Sequence, residues 1–294
     1  MNILHIVPGT ADVANGMVVV ARLLAKEQGD AEVVDLNHGI HRIHGSDVEE
    51  VWVHGMWLPK EWAACRAVLR AGKRLVRMTH GSLSPIYLTR QSPLKKKLVS
   101  PIERYFLRRA DKVVATCEAE KDWIESYLGN RCSPIEVTDL KRFFKLNPSE
   151  ILGQTQNLTL DARQPDPCRP LHLLYLGRRH PLKGLEYLEG AVNGLKNIDF
   201  RIVTDAAGEE KESVWEWCDV LVLPTLSENF GLVIAEALER GKRVITTDGA
   251  PAWGDGNTYG GRLVYLKGFR DGTREERIRL LKDAIEGIYK EVKI

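Results

Sequence analysis

The chain has 294 residues, 44% apolar and 28% charged, which is typical of a globular protein long enough for two domains. Its 42 basic residues nearly balance its 40 acidic ones, which excludes a nucleic-acid-binding polycation. The cysteines at 65, 117, 132, 168 and 218 form no CxxC pair and no cluster with histidine, which favours reduced thiols over a structural metal site. A strand predicted almost at Met1 leaves no room for a signal peptide, and no apolar run could span a membrane, so we expect a cytoplasmic protein.

Short apolar strands alternate with helical patterns along the first half of the chain. In order, the predicted elements are Ile3–Val7, a helix over Gly16–Gln28, Glu32–Leu36, Glu50–His54, a helix from Pro59, Arg74–Thr79, a helix over Pro93–Arg109, Lys112–Thr116, a helix over Glu118–Leu128 and Ile135–Thr138. Such alternation is typical of a parallel α/β sheet. The pattern predicts a Rossmann-like domain over residues 1–147.

The same alternation resumes after an interruption. From Asn147 to Pro170 the periodicity fails and four prolines occur, which predicts an interdomain linker over residues 148–170. The elements predicted after it are Leu171–Leu176, a helix from Lys183, Asp199–Val203, Asp219–Leu223, a helix over Phe230–Glu239, Arg243–Thr246, Arg262–Tyr265 and a closing helix from near Thr273. We expect a second Rossmann-like domain over 171–274, and the closing helix, 275–294, could pack back on the first domain.

Two carboxylates follow the predicted buried strand Asp219–Leu223. Glu228 lies beside the start of the next predicted helix, where unpaired N–H groups and the positive end of the helix dipole gather. Glu236, eight residues later, returns to a similar face of that helix. Carboxylates accept hydrogen bonds from vicinal hydroxyls and free N–H groups hold phosphate oxygens, so the pattern indicates a polyhydroxylated ligand. An acidic first turn with an ordinary surface glutamate is the alternative.

The sequence around these glutamates resembles one family. The segments LPTLSENFG from Leu223, EALERG from Glu236 and VITTDGAPAW from Val244 are similar to the donor-sugar half of a GT-B glycosyltransferase of family 4, the retaining type with an E-x7-E motif. The resemblance implies an α/β protein with two Rossmann-like domains facing each other across a cleft. It also implies that Glu228 is a catalytic residue near the donor sugar, assisted by the backbone of Asn229, Phe230 and Gly231. Glu236 would accept the ribose hydroxyls.

A basic loop, Gly177-Arg178-Arg179-His180-Pro181-Leu182-Lys183-Gly184, follows the first strand of the second half. Glycine allows the chain to turn there, and cations in such a loop can reach a diphosphate beyond the strand ends. In the resembled family the matching arginine and lysine neutralise the pyrophosphate leaving group. The resemblance thus implies that Arg178 and Lys183 are catalytic and that both bind the donor together with Gly177. Solvated loop charges are the alternative.

Two segments of the first half also match the family. Thr79-His80-Gly81-Ser82 resembles the segment whose histidine faces the donor sugar, which implies a catalytic role for His80, with His54 as a second candidate. The family often has a glycine pair before its first helix, and Asn15-Gly16 resembles a variant of it, which would bring Gly16 near phosphate or acceptor. A plain helix start at an asparagine cap is the alternative, and the spacing does not match the G-x-G-x-x-G pattern of nicotinamide binding.

Two segments depart from the family pattern. Only fifteen residues separate Val203 from Asp219, where the family usually has another strand and helix, so we expect a trimmed second domain. Residues 134–139 also replace the usual Pro-Asn-Gly. Both departures concern the nucleotide pocket and leave the four residues Arg178, Lys183, Glu228 and Glu236 in place.

A basic amphipathic stretch runs from Arg90 to Lys112. It contains eight basic residues against two acidic ones, and apolar residues interleave with them at near-helical spacing. Such a stretch favours docking on an anionic membrane. A helix that packs its apolar face on the core is the alternative, and no interleaved aromatic platform supports nucleic-acid binding.

Together these patterns predict a retaining, metal-independent glycosyltransferase without a cofactor. We expect it to move a sugar from a UDP- or GDP-sugar to a cell-envelope glycan, such as lipopolysaccharide, or to a lipid-linked acceptor, at the inner face of the cytoplasmic membrane. The alternatives are a sugar-nucleotide epimerase or phosphorylase on the same fold, and a degenerate partner subunit that only binds a sugar nucleotide. We predict no nucleic-acid partner.

Overall fold

The protein forms two compact α/β units, Met1–Leu140 and Lys141–Ile294. The structure, a computed structural model, describes residues 2–9, 15–29, 31–45, 47–129, 133–146, 169–204 and 206–292, without the side chains of Lys95 and Lys96. Apart from Arg169 and Pro170, the predicted linker lies outside the described residues, as do Cys132 and Cys168. The division at Leu140 falls shortly before the predicted end of the first domain at residue 147.

The first unit is a six-stranded parallel sheet in the order β2-β1-β3-β4-β5-β6. Its strands are β1 (Asn2–Val7), β2 (Glu32–Asp35), β3 (Val48–His54), β4 (Arg74–Met78), β5 (Lys112–Ala115) and β6 (Ile135–Val137). Its helices are α1 (Gly16–Glu27), α2 (Leu36–Arg42), α3 (Pro59–Arg70), α4 (Pro85–Arg90), α5 (Pro93–Arg109) and α6 (Glu118–Leu128). The central strands are rich in Val, Ile and Leu because a parallel sheet is covered on both faces.

The second unit is a five-stranded parallel sheet in the order β11-β10-β9-β7-β8. Its strands are β7 (Leu171–Leu176), β8 (Ile198–Val203), β9 (Val220–Leu223), β10 (Arg243–Thr247) and β11 (Leu263–Leu266). Its helices are α7 (Leu185–Val192), α8 (Gly208–Trp217), α9 (Leu232–Glu239) and α10 (Arg274–Val292), and short 3₁₀ turns span Leu140–Phe143, Pro181–Lys183 and Pro251–Trp253. The α/β prediction is confirmed, and this sheet has one strand fewer than that of the first unit.

Three short helices were not predicted. Helix α2 begins where the predicted strand Glu32–Leu36 should end, because Asp35 caps it by accepting hydrogen bonds from the N–H groups of Asn37 and His38 at 2.8 and 3.1 Å. Helix α4 has only six residues, too few to show a periodic pattern. Helix α8 fills the interval after β8 in which no element was predicted, and it buries Trp215.

The closing helix α10 packs on its own unit. It lies against α7, where Arg277 Nη1 donates a hydrogen bond to the Tyr187 hydroxyl at 2.7 Å. Farther along, Asn197 Nδ2 donates to the Tyr289 hydroxyl at 3.1 Å. That the helix also packs back on the first domain stays a prediction.

The sheet of the first unit buries charge as well as apolar side chains. Arg77, in the middle of β4, is fully buried and forms an ion pair with Glu103 of α5, with 3.2 Å between Nη2 and Oε2. Glu103 Oε1 also accepts hydrogen bonds from the backbone N–H of Trp57 and from Nε1 of Trp62, at 2.5 and 2.7 Å. One carboxylate therefore ties α5 to β4 and to the segment around α3.

Candidate active site

In the second unit, the loop after β7 meets the loop after β9 at the point where the order of the strands reverses. The chain passes from β7 outward to β8 and then returns to β9 on the other side of β7, so the β7–β9 boundary is a topological switch point, where open α/β sheets bind ligands. The Leu182 carbonyl accepts hydrogen bonds from Leu226 N–H at 2.8 Å and from Thr225 Oγ1 at 3.0 Å. The two loops thus form a single hydrogen-bonded surface.

Gly184 makes this close approach possible. Its φ of +65° lies in the left-handed region, and an added Cβ would lie 1.9 Å from the carbonyl oxygen of Pro224. A larger side chain there would force the loops apart. The glycine that ends the basic loop is therefore required by the packing of the backbone.

Lys183 and Glu228 are brought together by these loops. Lys183 Nζ donates to Glu228 Oε2 in an ion pair, and the two side chains are 20% and 17% exposed. Glu228 Oε1 accepts a hydrogen bond from the N–H of Asn229 at 3.2 Å. The structure therefore joins two of the predicted site residues into a half-buried cation–carboxylate pair, which can address an anion and a hydroxyl group at one place.

Arg178 lies on the same loop with an exposed side chain that makes no hydrogen bond or ion pair with the described residues. Its carbonyl, next to Gly177, accepts a hydrogen bond from the Tyr175 hydroxyl at 2.9 Å. Burial, with a smaller effect of the negative Glu228, raises the pKa of Tyr175 to about 12, so this hydroxyl keeps its proton at neutral pH. The loop backbone is held in place, and the guanidinium is available to a ligand.

Glu236 of α9 pairs with a lysine that the sequence analysis did not identify. Lys211 Nζ forms an ion pair with Glu236 Oε2 at 2.7 Å, and the two side chains are only partly exposed. Lys211 belongs to α8, the helix that was not predicted. The available signal for this helix was its acidic first turn, Glu209 and Glu210, followed by the apolar Val214 and Trp215.

The segment from Asn229 to Gly231 differs from its prediction in two respects. The helix begins at Leu232 rather than Phe230, since Gly231 takes a left-handed φ of +74° and is its N-cap. The N–H of Asn229 is not free, because it donates to the Glu228 carboxylate. The N–H groups of Phe230 and Gly231 have no acceptor in the described part of the chain.

In the first unit, Asn15 and Gly16 form a helix start. The Asn15 side chain caps α1 by accepting hydrogen bonds from Met17 N–H at 3.0 Å and Val18 N–H at 3.1 Å. The structure thus shows the alternative interpretation of this segment. A role of Gly16 toward a ligand stays a prediction.

His80 follows β4 in a conformation unusual for a residue other than glycine, with φ at +50°. The residues on either side are fixed by Glu120, whose Oε1 accepts hydrogen bonds from Thr79 Oγ1 at 2.6 Å and from Gly81 N–H at 2.5 Å. The other oxygen accepts from the N–H and hydroxyl of Thr116, both at 2.8 Å. Glu120, fully buried, was missed by the sequence analysis because its position in α6 gives no sign of a partner 41 residues earlier.

His80 is also bonded to His54, the second candidate histidine. His54 Nδ1 lies 2.8 Å from His80 Nε2, and His54 Nε2 lies 2.9 Å from Nδ1 of His5. Among the described residues, no group of three ligand-type side chains is arranged to hold a metal ion.

Comparisons with known proteins agree with this architecture. Residues 11–139 match the model of the glycosyl transferase 4-like domain, and residues 159–283 match that of glycosyl transferases group 1. None of the curated proteins matches the chain at a significant level.

Several solved structures share the fold of the whole chain. HepE (Alr3699) from Anabaena, solved in complex with UDP-glucose, is 16% identical with a TM-score of 0.66, over 100% of this chain and 92% of that one. Sucrose-phosphate synthase from Thermosynechococcus elongatus is 15% identical with a TM-score of 0.64, over 99% and 90%. The lipopolysaccharide outer core galactosyltransferase WaaB is 15% identical with a TM-score of 0.55, over 100% and 94%.

Fold and family matches together define a class. The protein belongs to the GT-B glycosyltransferases of family 4, with a 4-like domain at its N-terminus and a group 1 domain after it.

Proposed function

We propose that the protein is a retaining glycosyltransferase that moves a hexose-type unit from a UDP- or GDP-sugar to a cell-envelope glycan, such as lipopolysaccharide, or to a lipid-linked acceptor. The observation that carries this proposal is the Lys183–Glu228 pair at the switch point, beside the exposed guanidinium of Arg178. The solved structures of HepE with UDP and UDP-glucose support a uridine nucleotide as donor. The likeness to WaaB supports an acceptor of the lipopolysaccharide type.

In the proposed reaction the bond between the anomeric carbon and the phosphate oxygen breaks as a bond to the acceptor oxygen forms on the same face. The departing phosphate oxygen takes the acceptor proton. Lys183 and Arg178 stabilise the negative charge that grows on the leaving group, which is the usual largest protein contribution in such sites. These cations take the place of a metal ion, so we propose that turnover needs none.

The remaining residues position the donor in this proposal. Glu228 accepts hydrogen bonds from the sugar hydroxyls, and the free N–H groups of Phe230 and Gly231 bind its oxygens. Glu236 accepts the ribose hydroxyls with the carboxylate lone pairs that its ion pair with Lys211 leaves open. His80 contacts the transferred sugar.

A donor panel tests the proposal directly. The protein is incubated with UDP-, GDP- and ADP-sugars, with thermal shift as the readout of binding and mass spectrometry as the readout of products. Transfer or slow hydrolysis of one donor, with the anomeric configuration retained by NMR, is expected. An epimerised nucleotide sugar, or binding without any turnover, would instead identify one of the alternatives from the sequence analysis.

We expect Glu236→Ala to weaken UDP-sugar binding by about 1–3 kcal/mol, the scale of an unpaired buried hydrogen-bonding group. Calorimetric titration measures the effect. Glu239→Ala, in the last turn of the same helix, is the matched control and should leave the affinity unchanged. Equal donor affinity in Glu236→Ala and wild type would reject the ribose assignment.

We further propose that α5 docks on the anionic inner face of the cytoplasmic membrane. Its apolar residues Leu94, Leu98, Ile102 and Tyr105 recur at intervals of three or four residues and are exposed by 66, 61, 37 and 50%. Glu103 and Leu107, on the opposite side of the helix, are buried. Exposure of the apolar stripe supports membrane docking over the core-packed alternative, because a core-facing stripe would be covered.

Basic side chains border this stripe. An open groove of about 620 Å³ between α3 and α5 is lined by Arg66 and Arg70 on one side and by Ile102 and Tyr105 on the other. Cations beside exposed apolar side chains are the pattern of an interfacial helix, in which each cation near anionic lipid adds roughly 1 kcal/mol. No helix in the described ranges has both the length and the apolar content to span a bilayer.

Wild-type protein should sediment with vesicles that contain phosphatidylglycerol, and Leu98→Glu should abolish this binding because it places a charge at the centre of the stripe. Reversing Lys95, Lys96 and Lys97 to glutamate should have the same effect, and salt should weaken wild-type binding since screening acts over roughly 8 Å at physiological ionic strength. Turnover of a soluble acceptor is the control and should stay unchanged. Failure of the wild type to sediment at low salt would contradict the membrane proposal.

A further inference from the structure

A continuous chain of side chains runs through the first unit and ends at His80. Gln28, at the C-terminus of α1, accepts with Oε1 from His5 Nε2 at 2.7 Å. His5 Nδ1 lies 2.9 Å from His54 Nε2, and His54 Nδ1 lies 2.8 Å from His80 Nε2. This row of side chains forms because β1, β3 and β4 are neighbours in the sheet. His5 lies in β1, His54 ends β3, and His80 is the second residue after β4.

All three rings are neutral near neutral pH. Burial lowers the pKa of His5 to about 4 and that of His80 to about 3, and burial also holds the pKa of His54 well below its usual value. The positive charge of Arg77 opposes protonation of His54 and His80 further. A neutral imidazole has one N–H donor and one bare nitrogen acceptor, so each ring donates in one direction only.

The Gln28 oxygen decides that direction. An amide oxygen can only accept, so His5 carries its proton on Nε2 and leaves Nδ1 bare. His54 must then donate from Nε2 to His5, which leaves its own Nδ1 bare to accept from His80 Nε2. The result at the end of the chain is an imidazole with its proton on Nε2 and a lone pair on Nδ1.

His80 Nδ1 has no hydrogen-bond partner among the described residues. The ring is held rather than free, since Glu120 fixes the backbone on both sides and the left-handed φ restricts the residue. A fixed ring with a bare nitrogen is suited to accept a hydrogen bond from a hydroxyl group. With its proton on Nδ1, the same ring would donate a hydrogen bond from that nitrogen and would have no lone pair there to accept one.

We propose that Gln28, His5 and His54 are positioning residues that fix His80 in the Nε2–H tautomer and so present Nδ1 as the acceptor for a hydroxyl group of a bound substrate. The identity of the substrate as a sugar rests on the proposed function. The tautomer itself does not depend on it. A merely structural histidine cluster would fix the same tautomer, but a change of that tautomer would not affect substrate binding.

The first test uses the ligand-free wild-type protein. Long-range ¹H–¹⁵N correlation spectra, with the rings assigned by single histidine replacements, report the protonated nitrogen of each imidazole. We expect a proton on Nε2 and a bare Nδ1 in all three rings. A proton on Nδ1 of His80 would overturn the proposal whatever the protein transfers.

The second test removes the group that sets the direction. Gln28→Met keeps the length of the side chain without an acceptor, and Gln28→Lys offers only donors, so both should shift His80 toward the Nδ1–H tautomer. With an active donor, kcat/KM should fall about tenfold, the factor that one hydrogen bond supplies. Lys26→Met, two residues earlier on an exposed position of α1, is the matched control and should match wild type in spectrum and rate.

Binding of two ligands, UDP-glucose and UDP, distinguishes a hydroxyl group of the donor sugar from one of the acceptor. If it belongs to the donor sugar, Gln28→Met should weaken binding of UDP-glucose and leave binding of UDP, which has no hexose, unchanged. If it belongs to the acceptor, both affinities stay at wild type and the KM for the acceptor rises. Unchanged affinities and an unchanged acceptor KM, in a variant whose tautomer has shifted, would reduce the chain to a structural role and contradict the proposal.

Discussion

Lys183→Ala is expected to lower kcat by about 100- to 1,000-fold, the range found when one group that stabilises transition-state charge is removed. The donor KM should change much less, because the charge on the leaving phosphate grows toward the transition state and the ammonium gains most of its interaction there. Steady-state kinetics with the donor found in the panel measure both constants.

A matched arginine makes this result specific. Arg179 is on the same loop as Lys183 but is 61% exposed and lies 3.5 Å from Glu189, away from Glu228. Arg179→Ala should leave kcat unchanged, whereas Arg178→Ala should resemble Lys183→Ala. A Lys183→Ala variant that raises KM with an unchanged kcat would show that the lysine only holds the ground state.

Glu103→Ala is expected to destabilise the first unit by about 3–5 kcal/mol, the cost of leaving a buried charge without its partner. The variant leaves the fully buried guanidinium of Arg77 without its carboxylate and removes the acceptor for Trp57 N–H and Trp62 Nε1. Urea unfolding, followed through tryptophan fluorescence and analysed as the transition of the first unit, measures the loss.

Glu136→Ala is the control for that measurement. Glu136 also pairs with a cation, Lys112, at 2.9 Å, but its side chain is 59% exposed. We expect a change within about 0.5 kcal/mol, as for most surface substitutions. Equal free energies of unfolding for the two variants would mean that Glu103 is solvated in the folded protein and that the buried pair contributes nothing.

The strands could be predicted because their burial leaves an apolar run in the sequence. Each of the eleven strands among the described residues coincides with a predicted one, with ends that differ by at most two residues. The missed helices α2 and α4 have seven and six residues, so neither offers two full turns of apolar spacing. Helix α8 was not predicted because charged residues fill half of its length and Trp215 is its one buried residue, so it shows little apolar periodicity.

The site was predictable only in part. Lys183, Glu228 and Glu236 lie in local motifs whose spacing is visible along the chain. Their partners are not, since Lys211 comes from another helix and the bond between His5 and His54 spans 49 residues. A single sequence shows which side chains follow each strand, but the pairing of side chains depends on strand order, which becomes visible only in the folded sheet.

The Lys183–Glu228 pair bears on selectivity against free phosphate. The ligand-free pair is already internally neutral, so a small anion must draw Lys183 away from Glu228 and leaves that half-buried carboxylate without its counter-charge. Under the proposed assignment a nucleotide sugar supplies both missing partners, a phosphate for the ammonium and hydroxyl groups for the carboxylate. We therefore expect free phosphate to bind weakly, because it offers a partner for Lys183 but none for Glu228. This selectivity arises from the cost of an unpaired charge and not from the size of the pocket.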